Sequence, residues 1–165
     1  MSGFRVAILT VSDKGSRGER EDLSGQAVEE TVLGAGMLVE ARDVVPDEFG
    51  DIEAKLRYYC DEIGVDLVLT TGGTGLSPRD ITPEATRRVI HREAPGFAEA
   101  MRAASLRATP HAMLSRAASG IRGRTLIVNL PGSPRGAREN LEAILPALPH
   151  GLEKLRGDEG ECATP

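Results

Sequence analysis

The stretch Asp66-Leu67-Val68-Leu69-Thr70-Thr71-Gly72-Gly73-Thr74-Gly75, with Thr82-Pro83-Glu84 beyond it, decides how this chain is read. Asp66 to Thr70 is a short apolar run of the kind found in a strand buried on both faces. The glycines after it let the backbone turn sharply and approach a ligand closely. Thr82-Pro83-Glu84 then has the form of a helix start: a capping hydroxyl, a proline at the first helical position and an acid in the first turn. Strand, glycine-rich turn and helix make one unit of an α/β protein.

The same alternation extends outward in both directions. Phe4–Thr10 reads as a strand and residues 22–36 as a helix, with Val28, Thr31, Val32 and Ala35 on one stripe. Leu38–Val45 reads as a less buried strand. Ile52, Leu56, Tyr59, Cys60 and Ile63 keep helical spacing up to a natural stop at Gly64. Pro95 opens a further helix bearing Phe97, Met101 and Ala104. Arg116–Gly123 is weakly patterned, a β-segment leading into the strongest strand, Thr125–Leu130. The last helix carries Leu141, Ile144, Leu145 and Leu148, and Pro146 and Pro149 should break or kink it. The fold expected is α/β, a three-layer sandwich with a largely parallel β-sheet flanked by helices. Residues 1–157 read as one domain and 158–165 as a disordered tail.

Composition narrows the function. The 165 residues carry a net charge of −5, no Trp, two Tyr and three Phe. No polybasic run exists to hold nucleic acid or an acidic membrane, and stacking platforms for single-stranded nucleic acid are scarce. No apolar stretch approaches the ~20 residues that span a bilayer, and the first residues lead straight into a strand without room for a signal peptide. Cys60 and Cys162 match no zinc or redox spacing. A cytoplasmic location is expected. His91, His111 and His150 form no ligand pattern, and Ser12 and Ser133 have no nearby His-Asp partnership for serine chemistry.

Three strand-to-helix turns are rich in Gly, Ser and Thr: Thr10 to Ser16, Thr70 to Gly75 and Asn129 to Pro134. In an open parallel sheet ligands bind beyond the carboxyl ends of the strands, where strand order reverses, so three such turns on one rim suggest a phosphate-bearing ligand. The dinucleotide and P-loop fingerprints are both absent. Asp80, just before the helix at Thr82, could hold Mg²⁺ against ligand phosphates, since that ion takes one or two carboxylates with waters and phosphate oxygens. It could equally be an extra cap for that helix. Asp47 could face the same site or serve as a helix N-cap, and Asp13 and Asp22 carry the same ambiguity. Lys14, Arg17 and Arg79 read as solvated surface charges.

From Thr70 through Arg79-Asp80-Ile81-Thr82-Pro83-Glu84-Ala85-Thr86 the chain closely resembles the signature of the MogA/MoaB family of molybdenum-cofactor proteins. Ser12-Asp13, Asp22-Leu23-Ser24-Gly25, Val45-Pro46-Asp47-Glu48, Pro95-Gly96-Phe97, Ser115-Arg116 and Asn129 to Pro134 extend the likeness over nearly the whole chain. The resemblance implies a molybdopterin adenylyltransferase, commonly homotrimeric, that moves AMP from ATP to the terminal phosphate of molybdopterin with Mg²⁺ as cofactor. It assigns catalysis and the metal to Asp80 and Asp47. It gives substrate binding to Ser12, Asp13, Thr71, Gly72, Gly73, Thr74, Gly75, Ser115, Asn129, Pro131, Gly132 and Ser133. It also implies a separate molybdate-inserting protein downstream, because no such domain is fused here. Some relatives lose the Arg and Thr-Pro around the loop acid; Arg79 to Pro83 is intact, which favours an active enzyme over a non-catalytic pterin-binding or scaffold module.

Overall fold

The computed structural model describes residues 3–160. Its sheet explains the sequence pattern strand by strand. β1 (Arg5–Val11) sends Val6 and Ile8 to one face and Ala7, Leu9 and Val11 to the other. Both faces must therefore be covered, which is why the run is apolar without alternation. β3 (Leu67–Thr71) and β6 (Thr125–Leu130) are likewise buried at every position, while β2 (Leu38–Val45) is largely half-exposed, as its mixed composition requires.

The strand order is β2-β1-β3-β6-β5-β4, with β5 at Ser119–Arg122 and β4 at Arg92–Glu93. β2, β1, β3 and β6 run parallel, and β5 is antiparallel to both β6 and β4. The mixed six-stranded sheet carries helices on both faces. α2 (Leu23–Gly34), α5 (Gly96–Leu106), α6 (Pro134–Ile144) and α7 (Leu148–Leu155) cover one side. α3 (Phe49–Arg57) and α4 (Thr82–Val89) cover the other; α1 is the single turn Asp13–Ser16. A 3₁₀ turn over Leu145–Ala147 separates α6 from α7 at Pro146, as the missing N–H of proline demands.

Local chemistry departs from the sequence reading at two helices. The residue before α4 is Ile81, and Thr82 does not cap it: its buried hydroxyl donates instead to the Gly72 carbonyl at 3.0 Å, tying the helix to the glycine turn. Beyond α3 the chain widens into a π-helical turn, Tyr58–Ile63, before Gly64 closes it at φ 70°. That turn points Tyr59 into the core, where its hydroxyl donates to Asp43 Oδ2 at 2.5 Å. Asp158–Gly160 carry no regular element; the remainder of the expected tail, with Cys162, lies outside the described residues. No helix among the described residues is long and apolar enough to cross a membrane.

Candidate active site

Strand order reverses between β1 and β3, so the carboxyl ends of these two strands open a crevice. The backbone there is bare. Gly72 and Gly73 have φ of 100° and 69°, conformations that side chains resist, and a Cβ on Gly72 would overlap the Val11 carbonyl. Gly132 packs against the same turn less tightly, since a Cβ there would lie 3.2 Å from the Gly72 Cα. The Thr71 hydroxyl donates to the Pro131 carbonyl at 2.6 Å, and Gly72 N–H donates to Leu130 O at 3.2 Å. The three expected turns therefore meet on one rim and share one floor.

The resulting cleft has a volume of about 670 Å³. Ser12, Thr71, Gly72, Gly73, Gly132 and Ser133 line it together with both acids, Asp47 and Asp80. A second recess of about 310 Å³ lies across the Gly75 turn; Thr74, Gly75, Ser115, Pro131 and Ser133 line that one, so Ser133 borders both. Ser12 and Ser133 also cap α1 and α6 by accepting from Gly15 N and Gly136 N. Asn129 faces neither space. It is fully buried, its carbonyl accepting from Ala118 N and its amide donating to Thr70 Oγ1 and Thr86 Oγ1. Its role here is to hold β6 to β3 and α4, behind the site.

Neither acid is spent as a helix cap. Asp80 Oδ2 accepts from Ser77 N at 3.0 Å, within its own loop. Asp47 exchanges bonds with Asp13: Asp13 N–H donates to Asp47 Oδ2 at 2.9 Å, and Asp47 N–H donates to Asp13 Oδ1 at 3.0 Å. Asp13 thus stands behind Asp47 and does not line the cleft. Burial raises the Asp47 carboxyl above its ordinary range, with the Asp13 and Asp80 charges adding to it. Asp13 is lowered to about 2, chiefly by hydrogen bonds from Arg79 and then by the Asp47 N–H. Asp22 is the cap of α2, accepting from Gly25 N and from the Thr10 hydroxyl, and its flank also lines the cleft.

Arg79 is not a free surface charge. Its guanidinium grips both oxygens of Asp13 at 2.7 and 3.0 Å, the Asp47 carbonyl at 3.1 Å and Glu48 at 2.9 Å. It thereby ties the turn after β3 to those after β1 and β2. Sequence reading gave no sign of this, because the partners lie 66 and about 31 positions away. Sequence patterning does not single out Arg20 either: among the described residues it is the one cation lining the cleft, and it pairs with no acid among them.

No group of three or more metal-type side chains exists among the described residues, so no closed protein cage for a metal is present. The arrangement suits a different mode. Asp47, Asp80 and Glu21 outweigh Arg20 on the cleft walls, while Asp22 is paired with Arg42 at 3.3 Å. A divalent cation lying between such carboxylates and a phosphate would relieve their repulsion, and Mg²⁺ favours this mix of a few carboxylates, waters and phosphate oxygens. The architecture is thus that of an α/β protein with a glycine-floored, carboxylate-walled cleft at its switch point and a second recess beside it.

Residues 7–150 match the family described as "probable molybdopterin binding domain" (MoCF_biosynth), and the chain belongs to that family. It is 47% identical over 161 residues to the molybdopterin adenylyltransferase of Helicobacter pylori strain J99, covering 96% of this chain and 91% of that protein. It is 43% identical over 159 residues to the molybdopterin adenylyltransferase of Escherichia coli K12, with 92% and 81% covered. The crystal structure of the molybdopterin biosynthesis enzyme MoaB from Thermus thermophilus superimposes with a TM-score of 0.89 at 59% identity, over 94% and 98% of the two chains.

Proposed function

We propose that this protein is a molybdopterin adenylyltransferase that uses ATP and Mg²⁺. The observation that carries the proposal is the convergence of Asp47 and Asp80 on a glycine-floored cleft that adjoins a second recess across a single turn. A transfer between two phosphate-bearing molecules needs two subsites that meet, and relatives covering most of this chain bear that activity in their names.

In the reaction a terminal phosphate oxygen of molybdopterin forms a bond to the α-phosphorus of ATP, the bond from that phosphorus to the bridging oxygen breaks, and pyrophosphate leaves. No covalent link to the protein is required. The chain's part is to orient the two phosphates and to remove water from between them. The backbone N–H groups of the glycine turns and the capped start of α6 at Ser133 offer donors to phosphate oxygens. Asp80 and Asp47 each keep an oxygen beyond their backbone bond, and they are the residues that would hold Mg²⁺. Bound there, the ion would offset phosphate charge during transfer. The substrate-binding set is Ser12, Thr71 to Gly75, Ser115 and Pro131 to Ser133, with Asp13 acting behind Asp47. Asn129 supports that set from within the core.

The decisive experiment incubates the purified protein with molybdopterin, ATP and Mg²⁺ and follows adenylated pterin and pyrophosphate. Asp80→Asn should lower the rate by about 10²–10³-fold, the range for losing one preorganised charge-stabilising group. Full activity in that variant would overturn the role given to Asp80. Tight pterin binding without turnover would make the protein a binding module, and ATP breakdown without pterin would make it a hydrolase. The same reading carries a homotrimer, which light scattering tests, a cytoplasmic location, and a separate molybdate-inserting protein that consumes the product.

A further inference from the structure

The loop that carries Asp80 is held from outside, on one flank by the Arg79 clamp on Asp13, the Asp47 carbonyl and Glu48. Leu76, Ser77, Pro78 and Arg79 are all exposed, Leu76 by 65%. Inside the loop only two bonds form, Ser77 N to Asp80 Oδ2 and Asp80 N to Ser77 O. No apolar side chain of this segment reaches the core, so its position comes from polar anchors: those of Arg79 toward Asp13 and Glu48, and a second set at the two ends of the loop.

Arg116 supplies the second set. Its Nε donates to the Gly75 carbonyl at 2.8 Å and its Nη2 to the Asp80 carbonyl at 2.6 Å, which are the two ends of the loop. Nη1 meets both oxygens of Glu84 on α4 at 2.5 and 3.0 Å, and the Arg116 backbone N–H donates to the Thr74 carbonyl at 2.8 Å. We infer that Arg116 is a positioning residue: it brackets the Gly75–Asp80 loop so that the Asp80 carboxylate stays in the cleft. This inference rests on the metal–nucleotide reading of the cleft given above. Arg116 lines neither the cleft nor the recess, and its guanidinium is turned to the two loop carbonyls and Glu84. The planar fork is what allows one side chain to span two carbonyls and a carboxylate; lysine, a single point of charge, cannot do so. A displacement of about 1 Å at a reacting group lowers rates about 10²-fold, so a loosened loop should act on turnover far more than on folding.

The test compares Arg116→Gln, Arg116→Lys, Asp80→Asn and Glu84→Gln. ATP affinity is measured by titration calorimetry with Mg²⁺ and again with EDTA, beside kcat and KM for adenylyl transfer and the melting temperature. In EDTA all four variants should bind ATP within about twofold of the parent, a difference worth under 1 kcal/mol. In Mg²⁺ the Arg116 variants and Asp80→Asn should lose the gain in affinity that the ion gives the parent, and Asp80→Asn combined with Arg116→Gln should lose no more than either alone. Turnover in the Arg116 variants should fall about 10²-fold with the KM for molybdopterin little changed. Glu84→Gln keeps the carbonyl contacts of Arg116, so it should melt lower yet keep both the Mg²⁺ gain and turnover.

If Asp80→Asn loses the Mg²⁺ gain while the Arg116 variants keep it, the inference falls and the cleft reading stands. If Asp80→Asn keeps the gain, the metal reading falls and takes the inference with it. Equal losses in Glu84→Gln and the Arg116 variants would reduce Arg116 to an ion-pair staple, again overturning the inference. Should Arg116→Gln fail to fold, Arg116→Lys decides by the same comparison.

Discussion

Asp13 and Asp47 look alike in sequence and answer pH in opposite senses. The Asp13 carboxyl is held at about 2 against an ordinary 3.8, so its folded pKa is depressed. Its contribution to stability is present above the unfolded value and disappears as pH falls from about 4 towards 2. Asp13→Asn should therefore melt below the parent near neutrality, and the gap should close on acidification to pH 2; thermal melts at stepped pH read this directly. Asp47 is raised by burial, so ionising it opposes folding and its share of stability declines as pH climbs through its folded value. Arg20 carries a third expectation. Hydrogen bonds to charged groups are worth ~1.5–3 kcal/mol, so Arg20→Ala should raise the KM for ATP by about tenfold or more. An unchanged KM in steady-state assays would remove Arg20 from the phosphate path. The sequence brings Asp13 and Asp47 to the site, but their opposite charge environments and the place of Arg20 are not written in it. Whether a side chain is solvated or clamped depends on partners from other strands, and Arg79, read as a surface charge, shows how far that can mislead.

At the scale of elements, most strands and helices were legible because burial on two faces or one imprints its own period. Leu38–Val45 and Thr125–Leu130 coincide with β2 and β6, and Pro146 ends α6 as expected. The helix starts were less so. Thr82 satisfies every local rule for a cap, yet its hydroxyl is drawn to the Gly72 carbonyl because the turn beside it leaves that oxygen buried. At Asp22 the local rule holds. That side chain caps α2 through Gly25 N and accepts from the buried Thr10 hydroxyl at 2.9 Å. Asp22→Ala should destabilise the protein by ~1–2 kcal/mol, within the range for a lost N-cap, which denaturant melts would resolve. No loss at all would mean that water replaces the carboxylate at Gly25, Thr10 and Arg42 alike.

At the scale of the whole molecule, the rim of loops was the feature the sequence announced most clearly, because glycine turns after apolar runs must lie at strand ends. Its division into two spaces was not announced, since that depends on how the Gly75 turn folds against Arg116. A ligand that binds only the folded chain stabilises it by about 2.7 kcal/mol at a hundredfold excess over its Kd. For a chain of this length each kcal/mol moves the melting temperature by ~2–4 °C. ATP with Mg²⁺ should accordingly raise the melting point by several degrees and ATP with EDTA by less; equal shifts would argue against cation-mediated binding.

Had every strand run in one direction, the chain entering β5 would have arrived at the amino-terminal side of the sheet, a full strand length from the chemistry. Because β5 is reversed, its approach, Ser115 to Ala118, comes in over the opposite edge and hands a guanidinium to the turn after β3. One inverted strand thereby gives the neighbouring recess its Ser115 wall and the Asp80 loop its brace.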